Sequence, residues 1–140
     1  MIRYLLPLIA LPLAFAAVAS ATAPIQRGAL NFDLAERGGS GRVTAHFFSA
    51  REDKHFWNAD FGTTEFDGLD VAGFHAGGTR PVRFSLVRQS GRLDCSGSGG
   101  SGRASGSCDF AAQPAFAAAL AAAKVAEPVG EDWLSLFASM

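Results

Sequence analysis

Cys95 and Cys108 sit in a stretch that mirrors itself, and the mirror leaves little freedom in how the chain can pair there. If the two cysteines face each other, the centre falls between Ser101 and Gly102. Leu93 then meets Phe110 and Gly97 meets Gly106 on one face, while Ser96 meets Ser107 and Ser98 meets Ser105 on the other. Strand side chains alternate with period two, so a slip of one residue would exchange the faces and destroy this agreement. With Ser101 and Gly102 as a two-residue loop, Gly100 and Arg103 form the hydrogen-bonded closing pair. Alternation outward places the cysteines at a non-hydrogen-bonded position, where Cα atoms approach to about 4.5 Å. That spacing suits a disulfide, and closing the intervening loop stabilises by about 3 kcal/mol on the chain-entropy argument. The sequence therefore predicts a Cys95–Cys108 bridge between adjacent antiparallel strands, with its sulfurs on the face of Leu93 and Phe110.

The same register sets Asp94 opposite Asp109, an unfavourable like-charge pair. Arg92 lies diagonal to Asp109 and is placed to offset it. We read this as an exposed, screened pair rather than a cation site. Gly97 to Gly102 also matches the spacing G-x-G-x-x-G, but that fingerprint needs a following helix in a parallel βαβ unit. Here the next residues run into a cysteine-containing strand.

A disulfide needs an oxidising compartment, and the other end of the chain provides for one. Arg3 is followed by an uncharged run, Tyr4 to Gln26, with its apolar heart at Leu5 to Val18 and small residues at its end. A short basic start, an apolar middle and an Ala-x-Ala end mark a secretory signal peptide. Ala19-Ser20-Ala21 satisfies the small-residue rule, whereas a cut after Ala23 would leave Pro24 beside it. The expected division is a signal peptide at 1–21 and a single exported domain at 22–140. Pro7 and Pro12 interrupt the run and oppose an uncleaved anchor. Loss of Arg3 takes the formal net charge from −1 to −2, which is not the basic footprint of a nucleic-acid binder.

Between these ends the chain alternates from Gly28 to Phe110, as half-buried strands do. Leu30, Phe32 and Leu34 share one face of a first strand. Val43, Ala45 and Phe47 follow after a glycine-rich turn at 38–41, and Trp57, Ala59 and Phe61 follow the polar turn at 51–54. Residues 62–79 give no clear reading beyond Phe66-Asp67-Gly68-Leu69, a turn with two apolar anchors. Val82, Phe84 and Leu86 resume the alternation and lead into the cysteine hairpin as a three-stranded meander. Phe is abundant, 12 against one Tyr, so the core is expected to be phenylalanine-rich.

Two helices are expected at the C-terminus. Pro114 suits a first helical position, ahead of a stripe of Phe116, Leu120 and Ala123. Pro128 and Gly130 break that helix. Trp133, Leu136, Phe137 and Met140 then fall on one helical face, with Glu131 and Asp132 in the first turn, where carboxylates favour the helix dipole. The fold class expected is α+β: an antiparallel sheet of about six strands, meandering, with two C-terminal helices packed on one face.

Residues able to do chemistry are present but not in motifs. His46, His55 and His75 lack zinc-site spacing. If Val43, Ala45 and Phe47 pair inward with Trp57, Ala59 and Phe61, His46 and His55 point to opposite faces. No serine sits in G-x-S-x-G. Asp53, Asp60, Asp67 and Asp70 are scattered, with no pair at glycosidase separation. Phe48, Phe56 and Trp57 could make an exposed patch, but core packing is the expected use. No catalytic, cofactor or metal residues are assigned; the assigned site residues are the disulfide pair, Cys95 and Cys108.

Several segments taken in order resemble a known family. They are Phe66-Asp67-Gly68-Leu69; Val82 to Arg88 with Gly91 after it; Gly102-Arg103-Ala104-Ser105-Gly106 before Phe110; and Pro114-Ala115-Phe116 before Leu120. Together they cover roughly half of residues 22–140. The chain resembles a poorly characterised bacterial extracytoplasmic module found in periplasmic parts of membrane-embedded antirepressor-type metalloprotease regulators and in small stand-alone exported proteins. The protease signature is absent, so the resemblance implies no protease activity, and it transfers no catalytic residues. It implies a periplasmic or secreted location.

The functional expectation is a non-catalytic binding or sensing module, monomeric, taking an envelope protein or small ligand, with no cofactor and no nucleic acid. Two alternatives stand beside it. One is a small envelope hydrolase using His46 or His55 with a nearby Asp, which needs a histidine within hydrogen-bond reach of a carboxylate. The other is an inhibitor-like protein with a rigid, disulfide-braced loop.

Overall fold

A computed structural model describes residues 25–38, 41–51 and 55–140, without the side chain of His55. The expected signal peptide, residues 39–40 and residues 52–54 lie outside the described residues. The chain forms β1 (Ile25–Glu36), β2 (Arg42–Ser49), β3 (His55–Gly62), a 3-10 turn (Thr63–Glu65), α1 (Val71–His75), β4 (Arg80–Arg88), β5 (Gly91–Gly100), β6 (Arg103–Ala112), α2 (Pro114–Ala122) and α3 (Glu131–Ser139). The strands make one six-stranded sheet in the order β3-β2-β1-β6-β5-β4. All neighbours are antiparallel. Two three-stranded meanders are thus joined side by side through β1 and β6.

The cysteine hairpin has the predicted register throughout: Leu93 opposite Phe110, Cys95 opposite Cys108, Ser96 opposite Ser107, and Gly100 opposite Arg103. The disulfide is formed, with Cα atoms 4.0 Å apart. Both cysteines are buried, as are Leu93 and Phe110, so the sulfurs lie on the core face. Ser101 and Gly102 form the two-residue loop with φ of 55° and 76°. Positive φ at both positions is what lets a two-residue turn follow the twist of its strands.

The core is a chain of rings. Phe32 meets Phe84 edge-on with centroids 5.0 Å apart, although β6 and β5 lie between their strands. Gly106 stands opposite Phe32 and Gly97 opposite Gly106, so no side chain separates the two rings. These glycines are required by the backbone as well. A Cβ on Gly97 would overlap the Ser105 carbonyl oxygen, and one on Gly106 the Ser96 carbonyl oxygen. From Phe84 the contacts run to Phe66 at 5.1 Å, to Phe61 at 5.4 Å and on to Trp57 at 5.6 Å. Trp57 stacks on Phe47 at 5.0 Å. Edge-to-face and offset pairs of this kind add roughly 0.5–1.5 kcal/mol beyond area burial.

Side chains from the two edge strands therefore meet, which requires the sheet to curl around its core. Arg88 of β4 lies 4.8 Å from the Trp57 ring of β3 and donates to the Phe137 and Ala138 carbonyls at 2.6 and 3.1 Å. The last carbonyls of a helix have no partner within it, so this one guanidinium satisfies α3 while covering an aromatic face. Burial lowers the Arg88 pKa, against the raising effect of Glu65.

The C-terminal helices form as expected, with one change of face. Pro114 opens α2, and its Phe116 and Leu120 pack partly buried against the core. In α3 the buried side chains are Trp133, Leu134 and Phe137, while Met140 is exposed. The expected stripe through Met140 is thus rotated toward Leu134, with Trp133 and Phe137 still facing the rings of Phe110 and Trp57. Phe66 and Leu69 anchor the predicted turn, and Asp67 pairs with Ser85 of β4. Beyond it, α1 is a single capped turn: the Asp70 carboxylate accepts the Gly73 N–H at 3.0 Å and Phe74 is buried.

Candidate functional site

The C-terminal helices and the core rings occupy one face of the sheet. The other face carries the alternate residues of every strand, and the strand register arranges them in rows. One row runs Ser98, Ser105, Asp33, His46, Asn58 across β5, β6, β1, β2 and β3. The next runs Arg83, Ser96, Ser107, Asn31, Phe48. A hollow of about 710 Å³ lies over the first row. Its walls include Asp33, Ser98, Arg103 and Ser105, and Thr79 closes it beside the hairpin tip. A second hollow, of about 410 Å³, is lined by Asp67, Arg83, Ser85, Asp94, Ser96 and Asp109.

The Asp94–Asp109 pair occurs as predicted, but its charge is handled differently. Arg92 binds Asp94 of its own strand, at 2.7 Å from Nη2 and 3.0 Å from Nε. The Ser85 hydroxyl donates to the same oxygen at 2.6 Å. Burial raises the Asp94 pKa, and the hydrogen bonds from Ser85 and Arg92 outweigh it, leaving the carboxyl below its usual range. Asp109 instead accepts the Gly28 N–H at 2.7 Å, at the irregularity between Gln26 and Leu30 of β1. Each carboxylate thus has its own donor.

Asp60 is similarly held. Thr44 donates to it at 2.6 Å and Arg37 at 2.8 Å. The Thr44 hydrogen bond is the main cause of its lowered pKa, with Arg37 adding to it against a smaller effect of burial. Asp67 and Asp70 serve the turn and the cap already described, and Asp53 lies outside the described residues.

The three histidines part company. His46 is half-buried, stacked on Phe48 at 6.5 Å, and stands opposite Asp33. Ser105 lies on the far side of Asp33, so that hydroxyl is two strand spacings, about 10 Å, from His46. The register supposed for β2 and β3 holds from Val43 to Phe47. It then shifts by one, so that His55 lies opposite Phe48. Simple alternation therefore does not extend to His55, and the expected opposition of His46 and His55 rests on a side chain outside the described residues. The Phe48–Phe56–Trp57 cluster is likewise divided. Trp57 packs on Phe47 and Phe137 in the core, while Phe48 belongs to the outer row.

His75 meets a carboxylate. Its Nδ1 lies 2.7 Å from Glu36 Oε2, both side chains partly exposed. The pair stands where α1 is fastened to the hairpin tip. Ser101 N–H donates to the Ala76 carbonyl at 2.7 Å, Gly102 N–H to Phe74 at 2.9 Å, and Glu36 N–H to Gly102 at 2.8 Å. Sequence reasoning passed over this pair because its two residues meet only when α1 docks on the hairpin. Among the described residues no group of three or more His, Cys, Asp or Glu is arranged to hold a metal ion. No described helix is long and apolar enough to cross a membrane. No family model, no curated protein and no solved structure matches this chain.

Proposed function

We propose that this chain is a non-catalytic periplasmic or secreted binding or sensing module that takes an envelope protein or small ligand on the outer face of its sheet. The observation that carries the reading is the large hollow over the Ser98–Ser105–Asp33 row, open to solvent and built on strands. Sites on strands hold their side chains more rigidly than sites on loops. Export is supported by the signal-like N-terminal sequence and by the buried disulfide, a bond that persists in oxidising compartments. The resemblance to the extracytoplasmic module points the same way.

The hydrolase alternative gains one observation, Asp33 opposite His46, while the Ser105 hydroxyl of the same row lies about 10 Å from that imidazole. The test is a comparison of wild type with Ser98→Phe/Ser105→Phe in capture from a bacterial envelope extract. Both positions are exposed, so the fold should survive and a specific capture should be lost. Capture unaffected by the double substitution would reject the outer face, and ester hydrolysis abolished by His46→Ala would favour the enzyme.

A further inference from the structure

The large hollow contains two opposite charges, Asp33 and Arg103, that make no ion pair or hydrogen bond with any other described side chain. We propose that it binds a compact zwitterion, an α-amino acid, with the ligand carboxylate on Arg103 and the ligand ammonium on Asp33. This rests on the reading of the outer face as a binding surface and names the ligand class.

The argument is one of placement. Asp33 stands opposite Ser105 and Ala35 opposite Arg103, so Asp33 and Arg103 are diagonal neighbours on one face, with Cα atoms roughly 7–8 Å apart. Both line the hollow. Three other carboxylates of this face have donors: Asp94 from Arg92 and Ser85, Asp109 from Gly28, Asp60 from Thr44 and Arg37. Asp33 and Arg103 have no hydrogen bond or ion pair with each other or with any other described side chain. A ligand carrying both charges on one carbon reaches each with a charge-assisted hydrogen bond of about 2.8 Å. Ser98, Ser105 and Thr79 add hydroxyls able to donate or accept along the gap. Among the described residues no aromatic ring lines the hollow, which disfavours sugars that stack and ligands with large apolar groups.

The test is an amide-shift NMR titration of the isotope-labelled protein with four probes: glycine, N-acetylglycine, glycinamide and triglycine. Glycine is expected to give saturable shifts confined to residues 33–35, 79 and 98–105. Each blocked probe should bind at least tenfold more weakly, since each loses one charge-assisted hydrogen bond. Triglycine, whose charges lie too far apart, should also bind weakly. Arg103→Gln should remove the advantage of glycine over glycinamide while leaving the spectrum folded. Equal binding of all four probes, or no saturable shift at those residues, would overturn the zwitterion assignment. Shifts at those residues from the envelope extract in the same protein would then retain the outer-face reading while the ligand class falls. No shift from either source would sink both.

Discussion

The two meanders of the sheet are built by opposite means. In β1–β3 the inner face is filled by bulk: Leu30, Phe32, Leu34, Val43, Phe47 and Phe61 are all buried. Toward their hairpin tip, β5 and β6 thin the inner face to Gly97, Gly99, Ala104 and Gly106 beside the disulfide, while Leu93 and Phe110 fill its other end. The join through β1 and β6 explains the asymmetry, because it sets Phe32 opposite Gly106 and Leu34 opposite Ala104. Large residues of one half lie over small residues of the other, and Phe32 reaches Phe84 across the gap. The bulky half supplies apolar burial. The thinned part gives up side-chain contacts and is held by a covalent bond and close backbone approach. Interiors are packed as densely as organic crystals, so bulk on one strand demands its absence on the next.

If that division is right, removing bulk should cost more than removing the bond. Phe32→Ala should destabilise by about 3–5 kcal/mol, read from urea midpoints, because its ring touches both halves. Replacing both cysteines with alanine should cost about 2–4 kcal/mol and leave the fold in place. A larger loss from the cysteine pair than from Phe32 would reverse the comparison.

The hairpin tip offers a gain instead of a loss. Ser101 holds a φ of 55°, where an L side chain is strained by roughly 1–2 kcal/mol. Ser101→Gly should therefore stabilise by about 1 kcal/mol, less the extra entropy glycine brings to the unfolded chain. An unchanged or lower melting temperature would show that the tip is not under strain.

The smallest expected effect is on pH. Asp60 of the bulky half and Asp94 of the thin half both titrate below the usual carboxylate range. A carboxylate with a depressed folded pKa adds stability above its unfolded value, about 3.9, and loses it as pH falls toward the folded value. Urea midpoints should fall on acidification through that window. Asp94→Asn and Asp60→Asn should each flatten the fall, Asp60 less if solvent screening dominates there.

How much of this was legible depended on what fixes each contact. The Cys95–Cys108 register was legible because a two-residue turn and mirrored side chains specify one alignment. The inner faces of all six strands were legible because alternation assigns them residue by residue. Alternation does not say which strand lies beside which, so the joining of β1 to β6 could not be read. Everything that depends on that joining was hidden too: the Ser105–Asp33–His46 row, the diagonal of Asp33 and Arg103, and the hollow itself. The bulge after Phe47 was hidden as well, since alternation does not show where an extra residue enters a strand. The short α1 carries only an Asp70 cap and one buried ring, too little periodicity to detect, and so the His75–Glu36 pair went unseen.

The claim that a bulky half lies over a thinned half is tested most directly by proton–proton contacts in solution. The Phe32 ring should give strong NOEs to the α-protons of both Gly106 and Gly97, and to the Phe84 ring. Absence of these contacts, with Gly106 α-protons instead near residues of another strand than β1 or β5, would contradict the joining of the two meanders and with it the outer face built upon it.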